Sequence, residues 1–191
     1  MSVRLYYGSG SPYAWRVWLA LEHKGIPYHL KTVSFDAGDL KTAEFGALNP
    51  RRRVPVLVDD DFVLTESAVI VEYIEDRWPS DAPLFARDPR QRAIRRRMVQ
   101  SASVGRGLGG RPQRSAARAC PMGGRRDRRY LTGGLSAVDL TVYPFLALVV
   151  RLAGRTADFV KDDVIGPRLS VWIDRMRRLP IVEQTRPPHW K

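Results

Sequence analysis

Two hydroxyls at helix starts and a short run of arginines are the side chains of this sequence best placed to do chemistry. Ser11 lies in the loop Gly8-Ser9-Gly10-Ser11 and is followed by Pro12, the order of an N-cap serine with proline at the first helical position. A hydroxyl donor at the positive end of a helix stabilises an anion, and the same hydroxyl also serves as a plain structural cap. Ser9, Tyr6 and Tyr7 stay open as alternatives, because the glycine-rich loop leaves the register free. Glu66-Ser67 again sits where a helix begins, so backbone N–H groups there can receive a carboxylate, while Ser67 or Thr65 is equally suited to be only a cap. Arg51, Arg52 and Arg53 lead into Val54-Pro55. Arginine offers carboxylates a two-pronged fork, although three in a row also describe a solvated charge run. His23, His29 and His189 are isolated, without metal-ligand spacing or the orienting partners that acid–base catalysis needs, and read as structural.

The elements that must hold these groups follow from periodicity. Val3, Leu5 and Tyr7 alternate with Arg4 and Tyr6, the period of a half-buried strand. A helix opened by Ser11-Pro12 carries the stripe Ala14, Val17, Trp18 and Leu21 and stops at His23-Lys24-Gly25 before Pro27. Residues 28–34 are a second strand, and 35–53 are irregular with one short helix near 43–48. Val54 to Val58, the turn Asp59-Asp60-Asp61 and Phe62-Val63-Leu64 form a hairpin, with proline at the start of its first strand, where a missing donor is tolerated. The helix after Glu66-Ser67 buries Ile70, Val71, Ile74 and Trp78 and is stopped by Pro79. Strand, helix, strand, irregular segment, hairpin, helix is a thioredoxin-like α/β order.

The second half reads as all-helical. A linker rich in Pro and Asp spans 79–88, and a basic helix covers about 89–99. Ser136 and Asp139 have capping-box spacing, with Leu135 and Leu140 at the two staple positions, and open a nearly all-apolar helix containing Pro144. A last amphipathic helix at about 168–179 carries Leu169, Trp172, Ile173 and Met176 on one face. The organisation is therefore a thioredoxin-like domain at 1–78, a linker at 79–88, and a helical domain at 89–191 holding an irregular Arg/Gly-rich segment at 100–130.

Composition excludes several classes. With 191 residues, 44% apolar and 27% charged, the chain buries a real core. Cys120 is the only cysteine, so an intrachain disulfide, a dithiol redox pair and a thiolate zinc cluster are all ruled out, and no metal is expected. The amino terminus lacks a basic region followed by an apolar stretch, and the longest apolar run, 140–150, falls short of the about 20 residues that cross a bilayer. A cytoplasmic protein without membrane partners is expected. The net charge of +12 points toward nucleic acid, but residues 100–130 hold eight arginines against the single acid Asp127 and so supply +7 of it. That segment has no interleaved aromatics for base stacking, only Tyr130 at its edge, and nucleic acid is not an expected partner.

Three stretches in order carry a family resemblance: Ser11-Pro12-Tyr13-Ala14-Trp15-Arg16-Val17, Leu48-Asn49-Pro50-Arg51-Arg52-Arg53-Val54-Pro55-Val56-Leu57, and Leu64-Thr65-Glu66-Ser67-Ala68-Val69-Ile70. Together they resemble the amino-terminal domain of soluble glutathione transferases, closest to serine-type bacterial and zeta-like members. Leu135-Ser136-Ala137-Val138-Asp139-Leu140 with Pro144 resembles the capped core helix of their carboxy-terminal domain. The resemblance implies glutathione as co-substrate, a small electrophile or a glutathione-dependent isomerisation, and a homodimer where the helical domain is intact. It assigns thiol activation to Ser11, the central peptide to the backbone of Val54 before a cis Pro55, the γ-glutamyl end to Glu66 and Ser67, and the glycyl carboxylate to Arg52 or Arg53. Tyr13 stands where some relatives carry cysteine, which speaks against cysteine-type thiol exchange. A non-catalytic binding module that keeps the fold is the alternative reading.

Residues 100–130 depart from the family. They contain six glycines, two prolines and one leucine where relatives carry two long amphipathic helices. Each glycine costs a helix about 1 kcal/mol relative to alanine and each interior proline about 3 kcal/mol, so no long helix is expected. An Arg/Gly/Ala/Pro/Ser mixture with hardly any acid is what a GC-rich gene gives out of frame. We read the segment as a local frameshift or deletion that leaves the electrophile pocket and dimer surface incomplete.

Overall fold

The computed structural model describes residues 2–103, 129–155 and 161–190. The amino-terminal half follows the expected order: β1 (Val3–Gly8), α1 (Pro12–Lys24), β2 (His29–Val33), α2 (Ala43–Leu48), β3 (Val56–Asp59), β4 (Phe62–Leu64) and α3 (Ser67–Arg77). The sheet runs β2-β1-β3-β4. β1 and β2 are parallel, with Leu5 opposite Leu30, as a helical crossover through α1 requires. β3 is antiparallel to β1, with Tyr6 opposite Val56, and β4 closes a hairpin on it, with Leu57 opposite Leu64. The turn is one residue tighter than the aspartate run implied, since Asp59 ends β3.

Alternation in β1 sends Val3, Leu5 and Tyr7 into the main core with α1 and α3, while Tyr6 packs on the opposite face with Phe45 of α2, ring centroids 6.2 Å apart. That core continues without a break into the helical half. Trp15 meets Tyr143 at 5.4 Å and Tyr13 meets Phe145 at 4.9 Å, both edge to face, across the contact of α1 with α5 (Ala137–Ala153).

The helical half holds α4 (Pro89–Ser103), α5, α6 (Lys161–Arg177) and α7 (Pro180–Gln184). α4 runs past the expected end at 99 and takes in the first residues of the irregular segment. The expectation for 104–128, including Cys120, lies outside the described residues. The predicted last helix is the second piece of α6, set off by Gly166 at φ 70° and followed by α7, which sequence reading missed. The predicted capping box forms at the start of α5 and does more than cap. The Asp139 carboxylate, fully buried, accepts hydrogen bonds from Ser136 N at 3.1 Å and Oγ at 2.8 Å, Leu131 N at 2.9 Å and Trp172 Nε1 at 3.0 Å, tying α5 to α6 and to the chain entering it. Burial pushes its carboxyl above the ordinary value against the pull of those hydrogen bonds.

Candidate functional site

The antiparallel register that sets Tyr6 opposite Val56 brings Gly8, the last residue of β1, level with Val54. A Cβ on Gly8 would lie 2.9 Å from Val54 Cγ2 and 2.4 Å from the Phe35 ring, so a larger residue there would have to displace those two side chains. The Val54–Pro55 bond is cis, as the resemblance implied.

Immediately after Gly8 the chain turns into α1. Ser11 N donates to Gly8 O at 3.0 Å, and Ser11 Oγ accepts from Ala14 N at 3.3 Å, a long cap bond on a half-buried hydroxyl. The alternatives to Ser11 are engaged elsewhere. Tyr6 lies on the far face of the sheet. Tyr7 is buried, and its hydroxyl receives Gly10 N at 3.2 Å, bracing the loop; burial raises its pKa above the ordinary value. Ser9 Oγ lies 2.8 Å from Nδ1 of His189. Trp190 Nε1 donates to His189 Nε2 at 2.9 Å, so in the neutral ring the proton sits on Nδ1 and points at Ser9. His189, isolated in the sequence, thus packs on the loop that presents Ser11. A contact 180 residues apart in the chain leaves no local signal.

The start of α3 is built differently. Glu66 is its N-cap residue, at φ 67° and ψ 98°, and no side chain caps the helix, in place of the Thr65 or Ser67 cap that sequence allowed. A non-glycine residue held there costs on the order of 1–3 kcal/mol, and its neighbours must maintain it. Ser67, the first helical residue, is 5% exposed, and its hydroxyl accepts a hydrogen bond from the Arg16 guanidinium. Arg16, 2% exposed on α1, was passed over in the sequence because it lies off the apolar stripe of its helix. Burial lowers its pKa to about 10, opposed in part by the nearby Glu66 carboxylate, so it keeps its charge at neutral pH.

The arginine run divides into three roles. Arg51 Nη1 pairs with Glu66 Oε1 at 2.5 Å on the surface. Arg52, at φ 52°, turns away and donates to the carbonyls of Leu40 and Thr42, both at 2.9 Å, lying over Gly46 where a Cβ would meet its Nη2 at 2.8 Å. Arg53 is exposed, and its guanidinium has no hydrogen bond or ion pair among the described residues. Buried Asn49 fixes the loop between them, donating to Arg53 O at 2.7 Å and accepting from Arg51 N at 3.0 Å.

A cavity of about 310 Å³ opens between α1, α5 and the chain's last residues, lined by Trp15, Tyr143, Ala147, Val150, Arg151 and Trp190 among others. Trp190 thus joins it to the Ser9 loop. Among the described residues no three His, Cys, Asp or Glu gather as a metal site requires, and no helix is long and apolar enough to cross a membrane.

Comparison with known proteins agrees with this fold. Residues 10–77 match the family model for the glutathione S-transferase N-terminal domain. The chain is 32% identical over 165 residues to the probable maleylacetoacetate isomerase of Caenorhabditis elegans, covering 83% of this chain and 70% of that protein. It is 41% identical over 92 residues to glutathione S-transferase 1 of Dianthus caryophyllus, covering 48% and 41%. Apart from the nematode protein, the named relatives are matched over less than half of their length. Among solved structures, a glutathione S-transferase from the Antarctic clam Laternula elliptica superposes with a TM-score of 0.76 at 26% identity, covering 100% of this chain and 94% of that one.

Proposed function

Since this chain belongs to the glutathione S-transferase family, we propose that it binds glutathione in the groove between the starts of α1 and α3 and activates the thiol for attack on a small electrophile. The observation that carries this reading is the start of α3: an N-terminus left uncapped, on a strained Glu66, with the buried Ser67 hydroxyl beside it. Free N–H groups and a helix dipole with no side-chain cap suit a carboxylate brought by a ligand.

Glutathione has two carboxylates, an ammonium, a central peptide and a thiol. In the proposed complex the γ-glutamyl carboxylate sits on the N–H groups of α3 and the Ser67 hydroxyl, and Glu66 faces the ammonium. The Val54 backbone pairs with the central peptide as an added strand. Of the two arginines considered for the glycyl carboxylate, Arg53 is the one with an unengaged guanidinium among the described residues, since Arg52 holds the approach to α2.

Ser11 then donates its hydroxyl to the thiolate, which the positive end of α1 also favours. The thiol proton leaves to solvent. Sulfur forms a bond to the electrophilic carbon, and the leaving group departs with its electron pair. With an unsaturated acid the same thiolate adds to the double bond, the carbon skeleton rotates, and elimination restores the thiolate. The name of the nematode relative, probable maleylacetoacetate isomerase, supports this second reaction.

Residues 1–78 bind glutathione in this reading, 79–88 join, and the helical half receives the electrophile. The cavity lined by Trp15, Tyr143 and Trp190 is the place for it, at a size within the range of small-ligand pockets. A reducing cytoplasm keeps glutathione in the thiol form, and association as a homodimer belongs to the same reading where the surface of the helical half is intact. Retention on immobilised glutathione together with turnover of a generic aromatic chloride is the expected result. Retention without turnover supports the non-catalytic binding module instead, and no retention contradicts both.

A further inference from the structure

Arg16 has no role in the reaction described above, yet it is one of the most deeply buried charged groups of the molecule. Its guanidinium is shared between two helix ends. One nitrogen donates to Ser67 Oγ at the start of α3, and the other donates to Ser103 Oγ at 2.6 Å, in the last turn of α4. Ser103 is held in turn, its hydroxyl on Val99 O at 2.6 Å and its carbonyl receiving Tyr13 OH at 3.0 Å. The Tyr13 ring lies 5.8 Å from the guanidinium carbon. The fork is therefore fixed from both sides and does not reach the surface.

A serine hydroxyl has one proton to give and two lone pairs to receive. Because Arg16 has no acceptor atom, the Ser67 hydroxyl can only accept from it, which leaves the Ser67 proton free for a further partner. That partner must be an acceptor, and the positive charge behind the hydroxyl favours an anionic one. We infer that Arg16 is a positioning residue that makes Ser67 an obligate donor to a carboxylate at the start of α3, so that the buried cation acts on the ligand through the hydroxyl. The inference rests on the proposed site, in which that carboxylate is the γ-glutamyl α-carboxylate of glutathione. It adds that the strength of this contact is set from inside the molecule by a residue that does not touch the ligand.

The test compares binding of glutathione with that of its analogue lacking only the γ-glutamyl α-carboxylate, measured calorimetrically on the full chain. The unaltered protein is expected to prefer glutathione by about 10- to 100-fold, the range for a hydrogen bond to a charged group. Arg16→Gln should lose most of that preference while its affinity for the analogue changes little, and Arg16→Lys should retain part of it. A role in folding alone would weaken both ligands together. If the unaltered protein shows no preference, the γ-glutamyl assignment to Ser67 fails and this inference falls with it. If the unaltered protein discriminates and Arg16→Gln discriminates equally, the inference alone is overturned. Should the substitutions fail to fold, the Arg16 guanidinium resonances of the unaltered protein decide: they should shift on adding glutathione and stay in place with the analogue, and the reverse would overturn the inference.

Discussion

Helices α1 and α3 both begin at the proposed glutathione groove, and they begin in opposite ways. α1 has its cap within the sequence: Ser11 accepts from Ala14 N and Pro12 fills the first helical position. α3 starts on Glu66 at positive φ, with no side-chain cap and with its first hydroxyl held from behind by Arg16. A helix start that satisfies itself serves folding first, although its hydroxyl only accepts in the cap and keeps its proton for a ligand. One left unsatisfied, at a cost in strain, is shaped for something brought from outside. The start of α5 is a third case, closed entirely by its own chain through Asp139, and serves as the folding-only reference.

Substitutions at these three starts should separate the roles. The largest effect is expected at the reference. Asp139→Ala leaves buried N–H and O–H donors of Ser136, Leu131 and Trp172 without an acceptor, and should cost roughly 3–5 kcal/mol of stability in denaturant unfolding, with activity per folded molecule unchanged. Ser11→Ala comes next: turnover falls by about 10²-fold, as for loss of one donor to a developing anion, with glutathione affinity nearly kept and about 1 kcal/mol of stability lost with the cap. Ser67→Ala and Glu66→Ala should each weaken glutathione binding by about 1–3 kcal/mol and leave kcat nearly unchanged at saturation. If both bind normally, the assignment of α3 is wrong. The smallest effect belongs to Arg51→Ala. Its exposed pair with Glu66 is worth about 0–1 kcal/mol of stability, and releasing Glu66 toward the ligand ammonium should leave glutathione affinity equal or slightly higher.

What could be read in advance follows the range of the forces involved. α1, the short helix at Ala43–Leu48, the hairpin and the apolar face of α3 were all legible, because alternation, prolines and caps act within a few residues. The capped entry to α5 was legible for the same reason, but its Trp172 contact was not. The layout of the site was less accessible. Nothing local marks Arg16 as buried, separates Arg52, which folds back on Leu40 and Thr42, from Arg53, which does not, or brings His189 to Ser9. These are tertiary contacts between distant positions. α4 shows the same limit: it continues to Ser103 because Arg16 and Tyr13 hold its last turn, overriding the weak local pattern there. For 104–128 the sequence remains the guide, and the coding DNA of residues 95–135 checks the frameshift reading. A shifted frame should reveal an amphipathic, leucine-rich helix, and its absence in every frame would count against that reading.

The claim that the two helix starts divide the work, α3 holding the ligand and α1 acting on sulfur, is tested most directly by the ionisation of the bound thiol. Thiolate absorbance of glutathione at saturation can be followed against pH in the unaltered protein, in Ser11→Ala and in Ser67→Ala. A free thiol ionises at about pH 8.5. In the unaltered protein and in Ser67→Ala the bound thiol should ionise well below that value, and in Ser11→Ala it should return toward it. Identical titration in the unaltered protein and in Ser11→Ala, with a shift appearing only in Ser67→Ala, would contradict the division.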